Sequence, residues 1–458
     1  MTSTPPLTPP NRFCNVAVVG AGYVGLPTAV TLASFGHTVT VAENDPTRLA
    51  RLRAGQPAIQ EPDLEPLLRR GIASSTLHFT PSARTAASDA DVIFLCVPTP
   101  QDLDGSADLR FVQAVIADIA PVLRPGAIVV NKSTVPVGTA HRVADLINRR
   151  DVVVVSNPEF LREGSAISDS LHPERIVVGC DYAAPAYVVA GLFAATNAPV
   201  LITDTATSEL IKYAANAFLA TKLSYVNAIA GLCEATGADV GDLVTGLGLD
   251  SRIGAKFLNP GPGWGGSCLP KDTSALSVTA RASGFEFPLL DAVIATNDAQ
   301  FDRTASKVLS LLDPATPSRV AVWGLTFKAG TDDRRDSPAL EIISRLQASH
   351  VTVTSYDPTV DASLAASDLA GITLFNDPYE AAEDADVVVV LTEWSEFARP
   401  DWDRLANVMR QKSFVDARNV TDPAQAAAAG FTYLSVGRRE VLNPDFLTTT
   451  TRSKEEQA

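Results

Sequence analysis

The residues best suited to covalent chemistry lie between Asn259 and Asp272, where the chain reads NPGPGWGGSCLPKD. Glycine and proline at this density interrupt a helix and build a loop, and Gly265-Gly266 lets backbone come close to a ligand beside the Cys268 thiol. Lys271, three residues further on, is a cation that would lower the pKa of that thiol, and the thiolate is the form that attacks a carbonyl carbon. The other four cysteines, Cys14, Cys96, Cys180 and Cys233, sit in or beside apolar runs and read as core residues. No pair has the spacing of a zinc site or a disulfide framework, so no metal is expected and a reducing cytoplasm is.

Two further segments carry chemistry. Lys212 and Asn216 are four residues apart and share one helix face among alanines. There they make a donor pair suited to a developing oxyanion, although a lysine in that setting can equally snorkel to water. Asn157-Pro158-Glu159-Phe160-Leu161-Arg162-Glu163 follows directly on an apolar run, which places its carboxylates at a sheet edge. Ser133-Thr134 follows another run in the same way. Surface charge is the plainer account of Glu159.

A cofactor site precedes these residues. Gly20, Gly22 and Gly25 form G-x-G-x-x-G between a strand-like run and helix-compatible sequence, and Tyr23 and Val24 complete the turn. Glycine permits the tight turn and close backbone approach to a pyrophosphate, while the helix amino terminus offers N–H groups and partial positive charge. Glu43 ends the next strand, where a carboxylate accepts hydrogen bonds from the adenosine ribose and repels a 2′-phosphate. This favours NAD, with nearby Arg48 as the one contrary sign. Val97-Pro98-Thr99-Pro100 is a rigid turn at the ligand-binding edge of the same sheet.

Strand-like runs at Asn15 to Val19, Thr38 to Ala42, Val92 to Val97, Ile128 to Asn131, Val152 to Val155 and Ile176 to Val178 alternate with helical stretches, which predicts a doubly wound parallel sheet. Thr205 to Gly237 reads as one long helix, with cap-type residues at Thr203 to Thr205 and Glu209 in its favourable first turn. The strand and helix rhythm returns at Arg319. Asp89-Ala90-Asp91-Val92 and Asp384-Ala385-Asp386-Val387 each lead into a buried strand, a weak internal repeat. The fold expected is therefore α/β: two Rossmann-like domains, 13–203 and 315–445, joined by a helical domain, 204–314, with polar tails at 1–12 and 446–458. Of the 458 residues, 46% are hydrophobic, and the net charge is -15. The first figure argues for a well-buried globular chain, and the second makes nucleic acid an unfit partner. No apolar run is long enough for a membrane span.

Taken together, VVGAGYVGLPTAV, NKSTVPVGT, NPEFLREGSA, SELIKYAANAFLATKLS, RIGAKFLNPGPGWGGSCLPKD and FKAGTDDRRDSP resemble the UDP-glucose dehydrogenase family, in order and over nearly the whole chain. The resemblance implies oxidation of a nucleotide sugar, UDP-glucose, to the carboxylate UDP-glucuronate by two hydride transfers to NAD. By that pattern Asp272 helps deprotonate the alcohol through a water, and Lys212 and Asn216 stabilise oxyanions. Cys268 forms a thiohemiacetal and then a thioester, and Glu159 assists its hydrolysis, with Thr134 beside them. Thr134, Glu163, Lys271 and Arg335 join the cofactor set. The nucleotide sugar would meet Glu159, Phe160, Leu161, Arg162, Lys212, Asn216, Phe257, Leu258, Asn259, Gly265, Phe327, Lys328 and Arg418. Arg252 would reach the site of a neighbouring subunit, implying a homodimer or larger homo-oligomer. Leu269, Asn259, Ala329 and Glu43 depart from residues common in relatives. The resemblance leaves open sister activities on UDP-N-acetylmannosamine or GDP-mannose, and an NAD-binding sensor without catalysis.

Overall fold

The apolar runs form strands in two separate sheets of the computed structural model, which describes residues 14–363 and 367–443. Both expected tails, 1–12 and 446–458, lie outside the described residues. In the first sheet β1 (Asn15–Val19), β2 (Thr38–Ala42), β3 (Leu77–Thr80), β4 (Val92–Leu95), β5 (Ile128–Asn131), β6 (Val153–Ser156), β7 (Ile176–Gly179) and β8 (Val200–Thr203) take the order β3-β2-β1-β4-β5-β6-β7-β8. All pairs are parallel except β6 with β7, which meet antiparallel through Ser156 and Gly179. Central strands such as β4 and β5 are buried along their whole length, as expected where helices cover both faces of a parallel sheet.

The second sheet contains β9 (Arg319–Trp323), β10 (Thr352–Tyr356), β11 (Ile372–Leu374), β12 (Val387–Val390), β13 (Ser413–Asp416) and β14 (Thr432–Ser435), in the order β11-β10-β9-β12-β13-β14 and parallel throughout. Its topology matches that of β1 to β6. The weak sequence repeat has a physical basis. Asp91 takes the Asn15 N–H on its carboxylate and gives its own N–H to the Asn15 carbonyl, and Asp386 does both to Arg319. Arg124 then pairs with Asp91, and Arg410 with Asp386, from the loop before the next strand.

The two sheets diverge at the end of their second strands. Asp357 follows β10 as Glu43 follows β2, but Asp357 Oδ2 accepts the Leu325 and Thr326 N–H groups at 2.7 and 3.2 Å. The amides of the loop after β9, which a glycine-rich turn would present to a phosphate, are thereby consumed within the protein.

A single helix runs over Thr205–Thr236, its Thr207 N–H capped by Asp204 at 2.7 Å, and helices Val240–Leu249, Leu269–Ala282 and Pro288–Leu309 follow. Glu209 serves a different helix from the one expected. Its carboxylate accepts from Gly138 N at 2.6 Å and Ala140 N at 2.8 Å, at the start of the Thr139–Ile147 helix. Burial pushes this carboxyl up to about 7 against those bonds. The chain packs as two compact units, one ending at Asn216 and including Ser274–Glu286, the other comprising Ala217–Thr273 and everything from Phe287.

Asp386 is buried and Asp91 half exposed, so the shared motif carries unequal weight. Asp386→Ala is expected to cost about 2 kcal/mol in urea unfolding followed by tryptophan fluorescence, because it strands the Arg319 N–H and removes the buried carboxylate to which the exposed Arg410 donates. Asp91→Ala, followed by circular dichroism, should cost under about 1 kcal/mol. Equal losses would refute this account of the repeat.

Candidate active site

At the carboxyl edge of the first sheet, the turn after β1 has the conformation its glycines suggest. Gly20 has φ +101°, and a Cβ on Gly25 would lie 1.9 Å from the Gly20 carbonyl oxygen, whereas one on Gly22 would meet nothing within 4 Å. Gly20 and Gly25 are thus required by packing, and Gly22 keeps open the space that a pyrophosphate fills. Glu43 is buried at the end of β2, accepting from Asp45 N at 2.9 Å and Arg48 Nη1 at 3.2 Å. Arg48 is therefore held by the acid rather than offered to a 2′-phosphate. Thr99 Oγ1 donates to the Thr134 carbonyl at 2.8 Å and locks the turn beginning at Pro98 to the loop after β5. These residues fit an adenine dinucleotide without a 2′-phosphate.

The Glu159 carboxylate after β6 is not a surface charge. Glu159 and Lys212 are both buried, with Lys212 Nζ donating to Glu159 Oε1 at 2.8 Å and the Leu161 N–H to Oε2 at 2.7 Å. Burial alone would raise the Glu159 carboxyl. The Lys212 charge and hydrogen bond, the Leu161 N–H and the Lys132 charge outweigh it and hold the group below the ordinary range. Lys212 therefore does not snorkel to water. Its ammonium lies 5.7 Å from the Phe160 ring, whose other contact is Arg175 at 3.7 Å. Asn216, one turn along the same helix, is also buried. Arg162 is bound to Asp169, with its Nη2 donating to Oδ1 at 2.6 Å, and Glu163 is half-buried.

In the second unit the glycine and proline loop is clamped by amides from two helices. Asn227 accepts the Gly261 N–H, Asn297 exchanges hydrogen bonds with both backbone groups of Trp264, and Gln300 donates to the Gly261 carbonyl. Gly265 and Gly266 are needed because protein approaches them closely. A Cβ on Gly265 would lie 1.9 Å from the Asp336 carbonyl oxygen, and one on Gly266 2.7 Å from the Phe327 ring. Cys268 leaves the loop exposed, just ahead of the Leu269–Ala282 helix. Asp272, one turn on, gives its N–H to the Cys268 carbonyl and is almost fully buried, with Lys271 Nζ 2.5 Å from its carboxylate.

Around this loop Arg418 donates to the Leu391 carbonyl and the Phe327 carbonyl, both at 2.8 Å, and Lys328 Nζ lies 5.5 Å from the Phe327 ring. Phe257 has φ +62°, a left-handed conformation that costs an aromatic residue about 1–2 kcal/mol and is characteristic of functional loops. Leu258 beside it is buried and Asn259 exposed. Lys222 fixes this stretch by donating to the carbonyls of Ile253, Gly254 and Lys256. Arg252 and Arg335 are each held by the aspartate two residues earlier, Asp250 and Asp333.

Several of these contributors escaped the reading of the sequence. Lys132 and Asn157 stand inside quoted motifs, where a polar residue directly after a buried strand was the available signal. Glu61, whose carboxylate takes the Gly164 and Ala166 N–H groups, and Lys222 had no such signal.

An open glycine turn and a strand-end acid on a doubly wound sheet, with a second sheet of the same topology closed to dinucleotides, define a dehydrogenase that uses one Rossmann domain for its cofactor and keeps the other for a different ligand. Profiles of a single family match the chain in order. Its NAD binding domain covers residues 14–197, its central domain 206–299 and its UDP binding domain 321–423. A UDP-glucose 6-dehydrogenase of Rhizobium meliloti (strain 1021) is 44% identical over 92% of this chain and 99% of its own length, and one from Pseudomonas aeruginosa is 43% identical over 93% and 97%. Among solved structures, a UDP-glucose dehydrogenase from Pyrobaculum islandicum superposes with TM-score 0.86 at 35% identity, covering 94% of this chain and 99% of that one. A UDP-D-ManNAc dehydrogenase from Pyrococcus horikoshii gives 0.82 at 27% identity, covering 92% and 99%. The chain belongs to the UDP-glucose/GDP-mannose dehydrogenase family. It is an NAD-dependent oxidoreductase. No helix among the described residues is long and apolar enough to cross a membrane.

The glycine geometry separates folding from cofactor binding. Gly22→Ala should leave the melting temperature unchanged while weakening NAD at least about tenfold by calorimetry. Gly25→Ala should destabilise the fold by about 3 kcal/mol, since backbone must shift to admit the methyl group. Lost stability in the first variant or unchanged stability in the second would contradict these roles.

Proposed function

We propose that this chain oxidises UDP-glucose to UDP-glucuronate, with Cys268 as covalent nucleophile. The observation that carries the reading is the thiol itself: Cys96, Cys180 and Cys233 are buried and Cys14 half-buried, whereas Cys268 is exposed in a rigidly clamped loop at a helix amino terminus, which favours negative charge on sulfur. Relatives that match along almost their whole length carry the name UDP-glucose 6-dehydrogenase.

In this reading Asp272, held by Lys271, accepts the alcohol proton through a water. NAD, held by the Gly20 to Gly25 turn and Glu43, supplies the hydride acceptor for both oxidations. Lys212 and Asn216 donate hydrogen bonds to the oxygen as it gains negative charge. Cys268 adds to the aldehyde carbon to give a thiohemiacetal, so that the second oxidation removes hydride from a tetrahedral carbon and leaves a thioester. Glu159, held as carboxylate by Lys212, orients the water that hydrolyses the thioester, with Thr134 beside it, and the thiol is regenerated. Phe160, Leu161, Arg162, Phe257, Leu258, Asn259, Gly265, Phe327, Lys328 and Arg418 form the nucleotide-sugar contacts. Tyr23, Val24, Arg48, Pro98, Thr99, Glu163, Lys271 and Arg335 complete the cofactor set. The domain division is 13–203, 204–314 and 315–445, supported by the order of the family profiles.

The working form in this reading is a homodimer. Leu210, Phe218, Tyr225 and Leu232 are exposed at spacings of seven or eight residues along the long helix, a stripe suited to burial against a second copy, and Arg252 projects outward with its side chain 87% exposed. An exposed nucleophilic thiol persists best in a reducing compartment, which supports the cytoplasm.

Purified protein with UDP-glucose and excess NAD should form two NADH per UDP-glucuronate, and Cys268→Ser should retain NAD binding but fail to complete the second oxidation. Normal turnover in that variant would remove the thiol from the mechanism, and activity confined to UDP-N-acetylmannosamine or GDP-mannose would reassign the substrate. Phe218→Asp should convert the dimer to monomer in sedimentation velocity; an unchanged sedimentation coefficient would place the subunit contact elsewhere.

A further inference from the structure

The lysine in Asn131-Lys132-Ser133-Thr134 has no part in the mechanism above, yet it is among the most deeply placed charges in the first unit. Lys132 is 7% exposed, and its ammonium donates to Asn157 Oδ1 at 3.0 Å. It lies 5.3 Å from the Phe193 ring centroid and 6.0 Å from that of Phe94. The Asn157 amide is in turn anchored, donating from Nδ2 to the Val177 carbonyl at 2.7 Å, while its backbone N–H goes to the Asn131 carbonyl at 2.9 Å. Glu159 is two residues further along the same segment.

A purely structural residue between two phenylalanine rings would be apolar, because replacing a buried charge by a hydrophobe of similar volume is usually neutral or stabilising. The charge has a different use. We propose that Lys132 is a positioning residue for thioester hydrolysis: it fixes the Asn157–Glu159 turn through the Asn157 amide and supplies a second positive charge beside the Glu159 carboxylate. The inference rests on the role assigned to Glu159 in the preceding section.

The surrounding charges support it. The titratable groups facing this pair are Lys212 from the long helix, Cys96 at the end of β4 and Glu159 itself, with Arg175 stacked on the neighbouring Phe160. Burial pushes the Cys96 thiol up to about 12, so it stays neutral. Two ammonium groups then face a single carboxylate, an excess of positive charge that stabilises the ionised form of Glu159. Burial also draws the Lys132 ammonium below the ordinary lysine range, which the Glu159 charge opposes and the Lys212 charge reinforces.

The test is a pH profile of thioester hydrolysis in single turnovers, measured by chemical quench, for the wild type, Lys132→Met and Lys132→Arg. Removing the cation raises the pH needed to ionise Glu159. Lys132→Met should therefore form the first NADH at close to the wild-type rate, while its acid limb of hydrolysis moves up by about one pH unit, so that the rate on that limb falls about tenfold and the rate at neutral pH stays close to wild type. Lys132→Arg, which keeps the charge, should hold the limb at the wild-type position. A limb unmoved in Lys132→Met, or moved equally in Lys132→Arg, overturns the proposal. Should Lys132→Met not fold, Asn157→Ala serves instead: it leaves the lysine and releases the turn, and wild-type hydrolysis in that variant also overturns it. Wild-type stoichiometry separates the two levels of the argument, since any value other than two NADH per sugar refutes the reaction itself rather than the role of Lys132.

Discussion

Parallel pairing sends the loop after every strand to the same edge of a sheet, and almost every residue proposed for the site depends on that constraint. Gly20 to Gly25 follow β1, Glu43 follows β2, Pro98 and Thr99 follow β4, Thr134 follows β5, and Glu159 follows β6. Phe327, Lys328 and Arg335 follow β9 in the second sheet, and Arg418 follows β13. Residues far apart in the chain share an edge without any single segment having to be long. The strands themselves carry no chemistry. Their part is to be apolar on both faces, so that helices cover them and only the edge remains for ligands.

Helices supply what the sheet edges do not. Lys212 and Asn216 lie one turn apart on a helix of 32 residues, and Asp272 lies one turn beyond Cys268. Helical spacing fixes such pairs more tightly than a loop can. The cysteine loop is irregular, yet it is tied down by Asn227, Asn297 and Gln300 from neighbouring helices. Its rigidity comes from side-chain amides bonded to backbone, which satisfy groups that would otherwise be buried without partners.

Much of this was legible in the sequence wherever a periodic or compositional signal ran through several residues. The buried strands β1, β2, β4 and β5, the long helix and the glycine turn were of that kind. The strands β3, β8, β11, β13 and β14 were not, because they are short and four of them are sheet edges, where sequence mixes polar with apolar residues. Pairings between distant residues were the least accessible. That Glu159 would be neutralised by Lys212, that Glu209 would cap another helix, and that Gly265 would pack against the Asp336 carbonyl all follow from packing that no local pattern encodes.

The aspartate after β10 has one more consequence. Because Asp357 already occupies the loop amides that a phosphate would need, the duplicated scaffold does not present two equivalent berths for adenine dinucleotides. The region matched by the family's UDP binding domain therefore lacks the open amide turn that the NAD binding domain offers a pyrophosphate. One carboxylate turned inward is thus enough to give two sheets of the same topology different surfaces at the same edge.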